Sequence, residues 1–153
     1  MNSLEWNLIF IGDNLSVMKS DIFQQKVAHV DMIYIDPPYN TGSKFSYNDK
    51  KNSDERIHFM EKRLLVAKEI LKKSWVIFIS IDDNEYATLK ILCDQIFDKR
   101  NSIWTFITFQ SQRSNAKFIN TVHEYVLCYA KDKECLQEFK IKRIQIPEDY
   151  KMI

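Results

Sequence analysis

Short apolar runs alternate with helical periodicity, and that alternation restricts the fold of this chain more than any other feature. Residues 30–35 are a run of strand-forming residues, apolar enough to be buried on both faces. Over residues 53–73 the period changes. Ile57, Met60, Leu64, Ala67 and Leu71 recur at i, i+3 and i+7, with Ile70 beside them, which predicts an amphipathic helix. Residues 75–81 form another apolar run and predict a buried strand. Asp82 then opens a second helical pattern as N-cap, with Glu85 three residues on, as in a capping box. Leu89, Leu92, Cys93, Ile96 and Phe97 make its apolar stripe. Strand, helix, strand, helix is the signature of an open, mostly parallel α/β sheet. The β-rich runs 103–109 and 124–130 predict a C-terminal antiparallel hairpin around a polar stretch. Upstream, residues 8–11 and the turn Gly12-Asp13-Asn14 predict a strand followed by a short helix to about Ser20. Past Lys131 the signal weakens: residues 136–146 suit helix or strand, and Pro147 ends them.

A length of 153 residues suits one domain with a real core. The formal charge is only +1, so any nucleic-acid interaction has to rest on local patches. Three cysteines and three scattered histidines have neither disulfide parity nor metal-ligand spacing, so no metal site is predicted. Cys93 and Cys128 fall in apolar patterns and are expected in the core. No basic-then-apolar leader opens the chain and no run is long enough to cross a membrane, so the cytoplasm is the expected location.

Right-handed crossovers would bring the loops after Ile11, Ile35 and Ile81 to one edge of the sheet, where α/β folds bind ligands. Asp13, Asp36 and Asp82 follow those positions. Asp13 is equally a turn residue and Asp82 a helix cap. Asp36 differs, because Pro37, Pro38 and Tyr39 follow it. Tandem prolines hold Asp36 and Pro37 extended and remove two amide donors. The Asp36 carboxylate and the Pro37 carbonyl then form a rigid acceptor pair beside the flat ring of Tyr39. Such a pair suits a planar group bearing an NH2, for example adenine. Acceptors on both N–H bonds would localise the amine lone pair and stabilise positive charge developing on that nitrogen. Tyr39 would stack on the base. A metal-dependent nuclease using Asp36, Asp82 and Asp83 fits less well, since prolines and a stacking tyrosine do nothing for a metal.

Asp36-Pro37-Pro38-Tyr39 resembles the catalytic motif of amino-group DNA methyltransferases. The string IDPPYNTG at 35–42 is similar to the β-class adenine-N6 enzymes, especially the modification subunits of type III restriction systems. So are FIGDNL at 10–15, FMEKRLLVAKEIL at 59–71, VIFISIDDNEYATLKIL at 76–92 and HEYVLCYAK at 123–131, in the same order. The resemblance implies a partial Rossmann-like methyltransferase fold and S-adenosylmethionine as cofactor. It implies Asp36, Pro37, Pro38 and Tyr39 as catalytic motif, Asp13 and Asp36 as cofactor contacts, and duplex DNA with a flipped adenine as substrate. Asn40, Lys44, Arg113 and Lys117 are the implied DNA contacts, although ordinary solvated side chains explain the charged three equally well.

The family's Phe-x-Gly-x-Gly loop, which cradles the methionine end of the cofactor, has no counterpart here: Gly12 and Gly42 are the only glycines. By the family's segment order, the region that reads DNA sequence is expected to lie outside these residues as well. The expectation is therefore an N-terminal catalytic part at 1–133 and the start of a downstream region at 134–153, inactive alone. A downstream methyltransferase half in trans and a restriction subunit are the implied partners. The alternatives are one chain of a split enzyme, or a non-catalytic DNA- or partner-binding module on the same fold.

Overall fold

A computed structural model describes residues 9–24, 30–38, 53–109 and 122–136. Short helices α1 (Asn14–Met18) and α2 (Asp21–Gln24) precede strand β1 (Val30–Ile35). Helix α3 (Ser53–Ile70), strand β2 (Leu71–Ile81) and helix α4 (Asp83–Phe97) follow. Strands β3 (Ser102–Phe109) and β4 (His123–Ala130) complete the described elements, with single 3-10 turns at Lys99–Asn101 and Lys133–Cys135. The sheet order is β1-β2-β4-β3. β1 and β2 run parallel, as a strand–helix–strand crossover requires, and β4 is antiparallel to both its neighbours. The predicted hairpin is present, but it is β4 rather than β3 that joins it to β2.

The core lies between the sheet and α3–α4. Ile77, Ile79 and Ile81 of β2 and Leu127 and Tyr129 of β4 meet Leu64 and Ala67 of α3 and Leu89, Leu92, Cys93 and Phe97 of α4. These are the positions that the helical and alternating patterns select. Cys93 and Cys128 are buried, as expected. The opposite face has only a small cluster, Val76, Cys128 and Ala130, with Phe78, Ile103 and Leu136 against it.

Three sequence expectations change. Residues 9–11 are not in a strand, and Ile11 is 98% exposed; an apolar run makes a strand only when a neighbour takes its hydrogen bonds. β1 is buried on one face only, with Met32 at 56% and Tyr34 at 58% exposure, because it occupies the edge and no described element covers its second face. α3 stops at Ile70 rather than Lys73, and Leu71, fully buried, already pairs with Val30. Between the pairs Val30↔Leu71 and Met32↔Val76 the β2 strand bulges, and regular pairing resumes from Val76. The start of α4 is as expected: Asp82 is its N-cap, and the Glu85 carboxylate also meets Arg56 of α3.

Long-range lysines close the helix ends. Lys131 Nζ donates to the carbonyls of Glu69, at 3.0 Å, and Leu71, at 2.7 Å, where α3 terminates. Lys68 Nζ donates to Ile96 O at 2.5 Å and Asn101 Nδ2 to Phe97 O at 2.8 Å, at the end of α4. Terminal carbonyls lack helical partners, and a cation there also complements the helix dipole.

Candidate functional site

Ile35 pairs with Ile79, so the carboxyl ends of β1 and β2 coincide and Asp36 and Asp82 share one edge of the sheet. Ile81 pairs with Tyr125, which brings the start of β4 to the same edge. Side chains alternate along β1. Ile33 and Ile35 pack toward the helices, while Met32 and Tyr34 are exposed. The alternation continues past the strand: Asp36 is exposed, Pro37 buried and Pro38 exposed. Asp36 makes no hydrogen bond or ion pair among the described residues. Next to it, the Tyr34 hydroxyl is hydrogen-bonded to the Ser80 hydroxyl across the strands.

Behind Pro37 and Pro38, between the first turns of α3 and α4, is a pocket with about 500 Å³ of open space including its mouth. Ile57, Phe59, Met60, Ile81, Leu89 and Leu92 give it apolar walls, and Arg56 and Glu85 are its charged members. Arg56 Nη1 lies 3.1 Å from Glu85 Oε1, an ion pair that is not aligned as a hydrogen bond. Arg56 Nε and Nη1 are buried without a hydrogen-bond partner among the described residues.

Asp13 lies in a different arrangement. It is the N-cap of α1, accepting from the Ser16 amide at 3.0 Å and the Ser16 hydroxyl at 3.2 Å. Its other oxygen pairs with Arg63 of α3. Arg63 is itself buried, donates to Asn14 Oδ1 at 2.8 Å and Phe59 O at 3.0 Å, and lies 3.3 Å from the centre of the Phe59 ring. The Ser16 amide holds the Asp13 carboxyl below its usual range; partial burial opposes this and the Arg63 charge adds to it. Asp82 accepts from the Glu85 amide at 3.3 Å and from Asn84 Nδ2 at 2.7 Å, which is the helix-cap reading.

Of the residues singled out in the sequence, Asp36, Pro37 and Pro38 are brought together at one strand end with Asp82 beside them. Asp13 is tied to α3 through Arg63. Tyr39, Asn40, Lys44, Arg113 and Lys117 lie outside the described residues. Among the described residues no group of three or more His, Cys, Asp or Glu could hold a metal ion, and no helix is long and apolar enough to cross a membrane. The site contains residues that pattern reading missed. Arg56 and Arg63 have polar faces in the helical pattern, and only the tertiary fold turns them inward. A polar-aromatic cluster at the same edge was also not anticipated. Tyr125 stacks on Tyr86 with ring centres 4.4 Å apart, donates to Asp83 at 3.1 Å and meets His123 at 3.0 Å. Donation to Asp83 raises the Tyr125 phenol, with burial adding to the effect.

A parallel β-α-β unit with an aspartate and two prolines at its carboxyl edge, extended by an antiparallel pair, defines an α/β protein of the open-sheet class. The chain belongs to the DNA methylase family, whose sequence profile matches residues 30–152. It is 35% identical to the type III restriction-modification enzyme EcoPI Mod subunit of Escherichia phage P1, over 97% of this chain and 28% of that subunit. It is 39% identical to the type II methyltransferase M.KpnI of Klebsiella pneumoniae, over 80% of this chain and 32% of that enzyme. The chain thus spans about a third or less of these relatives. Among solved structures it superposes on TTHA0409 of Thermus thermophilus, complexed with S-adenosyl-L-methionine, with a TM-score of 0.61 and 16% identity. That match covers 87% of this chain and 55% of the other. The PvuII DNA methyltransferase, cytosine-N4-specific, gives a TM-score of 0.58 at 14% identity, over 80% and 48% of the two chains. At such identities the shared property is the fold.

Proposed function

We propose that this chain is the N-terminal catalytic part of an adenine-specific DNA methyltransferase of a restriction-modification system, transferring a methyl group from S-adenosylmethionine to adenine N6. The observation that carries the reading is Asp36: an exposed carboxylate without a partner among the described residues, at the carboxyl end of a parallel strand, followed by one buried and one exposed proline. The donor chemistry fits it. S-adenosylmethionine is a sulfonium cation that supplies an electrophilic methyl group, and an unpaired carboxylate is a counter-charge for it. Asp36 and the Pro37 carbonyl would hold the two N–H bonds of the amine, and Asp36 would stabilise the charge that develops on nitrogen as the methyl group leaves the sulfonium sulfur, which becomes a neutral thioether, with the surplus N–H proton passing to water. Pro37 fixes the pair by packing into the core side of the strand end. Pro38 leaves no amide donor to compete for either acceptor. Tyr39 stacks on the flipped base in this reading. Asp13, whose oxygens hold Ser16 and Arg63, supports the cofactor's adenosine by fixing the α1 turn.

The proposal includes Asn40, Lys44, Arg113 and Lys117 as contacts to duplex DNA and a cytoplasmic location. It also includes the division at residue 133, a downstream methyltransferase half and a restriction subunit as partners. The test is transfer of labelled methyl groups to duplex DNA by the chain alone and mixed with the product of the downstream reading frame. The expected result is transfer in the mixture, none by the chain alone, and at least a hundredfold loss with Asp36→Ala. Transfer that survives Asp36→Ala, or a silent mixture, removes the reading.

A further inference from the structure

Arg63 is a buried cation that uses all three of its nitrogens. Nη2 pairs with Asp13 Oδ1, Nε donates to Asn14 Oδ1 at 2.8 Å, and Nη1 donates to the Phe59 carbonyl at 3.0 Å. The guanidinium carbon stands 3.3 Å from the centre of the Phe59 ring. Desolvating a cation is costly, and an apolar side chain would join α1 to α3 at less cost. What a guanidinium adds is geometry: its rigid fork fixes the distance and rotation between the acceptors it holds.

The element held in this way has little else to hold it. Helix α1 has five residues and none of them is buried. Gly12 before it has a φ of +148°, which glycine alone adopts readily, and residues 9–11 are exposed. The Gly12-Asp13-Asn14 turn is thus placed from α3. Hydrogen-bond capacity then singles out one atom. A carboxylate has about four lone-pair sites. Asp13 Oδ2 accepts from the Ser16 amide and hydroxyl, and Oδ1 accepts from Arg63. Oδ1 has capacity for one further donor, in a direction that Arg63 sets. The Asp13 side chain is 48% exposed, so a ligand can approach that oxygen.

We propose that Arg63 is a positioning residue for S-adenosylmethionine, aiming Asp13 Oδ1 so that this oxygen accepts one N–H or O–H of the cofactor's adenosine. This rests on the methyltransferase reading, in which Asp13 faces the adenosine, and Arg63 itself does not touch the cofactor. Arg63 already balances the Asp13 charge. The donor that Oδ1 takes is therefore neutral, an amine or hydroxyl of adenosine, and not the sulfonium or ammonium of the methionine end.

The experiment is calorimetric titration of S-adenosylmethionine into the chain assembled with the product of the downstream reading frame. Arg63→Met should weaken binding about tenfold. In the transfer assay the KM for the cofactor should rise alike, while kcat and the KM for DNA move by less than about twofold. Asn14→Ala removes one acceptor of the fork at an exposed position and should weaken cofactor binding about threefold; it decides the matter where Arg63→Met does not fold. Arg63→Lys keeps the charge without the fork and should recover only part of the loss. Added to Asp13→Ala, Arg63→Met should cost less than about twofold more, because both act at one oxygen. In the chain by itself, Arg63→Met should quicken hydrogen exchange at the Val17 and Lys19 amides, which bond to the Asp13 and Leu15 carbonyls. Unchanged cofactor affinity in Arg63→Met, full recovery in Arg63→Lys, multiplied losses in the double variant or unaltered exchange in α1 each overturns the proposal. Cofactor binding that weakens in Arg63→Met, beside a mixture silent on DNA, removes the DNA methyltransferase reading alone. Methyl transfer with a native cofactor KM in Arg63→Met removes the Arg63 assignment alone.

Discussion

The two faces of one sheet make the sharpest contrast in this molecule. Toward α3 and α4, Ile77, Ile79, Leu127 and Tyr129 are completely buried. On the other face of the same sheet Met32, Tyr34, Trp104 and Phe106 are exposed, Trp104 by 67%. The amino acids are similarly apolar on both sides. What differs is whether an element of the described fold covers them. A strand's composition states how much burial it can use, and the packing partners decide how much it obtains. The exposed side is also the side to which alternation assigns Asp36, so the candidate chemistry lies where the described fold is least closed.

Mutations can test whether the two faces really differ in energy. The largest effect is expected from Ile79→Ala, a deletion in the closed face, at about 2–5 kcal/mol in urea unfolding. A loss under about 1 kcal/mol would mean that the helix-covered face is not a packed core. A smaller, pH-dependent effect is expected at the bond between α4 and β4. Asp94 accepts from Tyr129 Oη at 2.5 Å and from Lys90 Nζ at 2.6 Å. Burial pushes its carboxyl up, but the hydrogen bonds from Lys90 and Tyr129 outweigh burial and hold it below the usual 3.8. Asp98, bonded by the Arg100 guanidinium and amide, is held down at about 2. A depressed carboxylate contributes stability above its unfolded pKa and loses that contribution as pH falls through its folded one. Stability should therefore be flat near neutrality and decline from about 3.8 toward about 2. Asp94→Asn should shallow that decline, and an unaltered acid limb would remove Asp94 from the account. The smallest effect belongs to the open face: Met32→Ala should change stability by less than about 0.5 kcal/mol. A loss comparable to Ile79→Ala would show that something covers this face in solution.

Local pattern revealed the parts whose cause is local. The i, i+3, i+7 series marked α3 because Leu64 and Ala67 do face the core, and Asp82 marked the start of α4 because its carboxylate does reach the Glu85 amide. The strand end at Asp36 was readable because proline chemistry acts on adjacent residues. The remainder depends on partners far away in sequence. Leu71 continues the helical spacing, so nothing local shows that the chain leaves the helix there; Lys131, 60 positions away, holds that end. The exposure of 9–11 and of Met32 reflects missing neighbours, which a strand's own residues do not encode. Arg56 reads as one more surface arginine until α4 brings Glu85 and a ring of apolar side chains to it. Tyr39, Lys44, Arg113 and Lys117 lie outside the described residues, and the roles given to them rest on the family resemblance.

The buried cysteines give the core a chemical clock. Burial pushes the Cys93 thiol up to about 12, with the Asp94 charge adding to it, and Cys128 up to about 11. Since thiolate is the reacting form, Cys93 is close to inert toward alkylating reagents while the helix-covered face stays closed, and Cys128 while the small cluster on the opposite face does. Cys135, beside Asp132, is only partly buried and takes up reagent first. The rate at which Cys93 takes up label therefore counts openings of the helix-covered core, and the rate at Cys128 counts openings of the opposite cluster, each read as a mass increment in a mass spectrum.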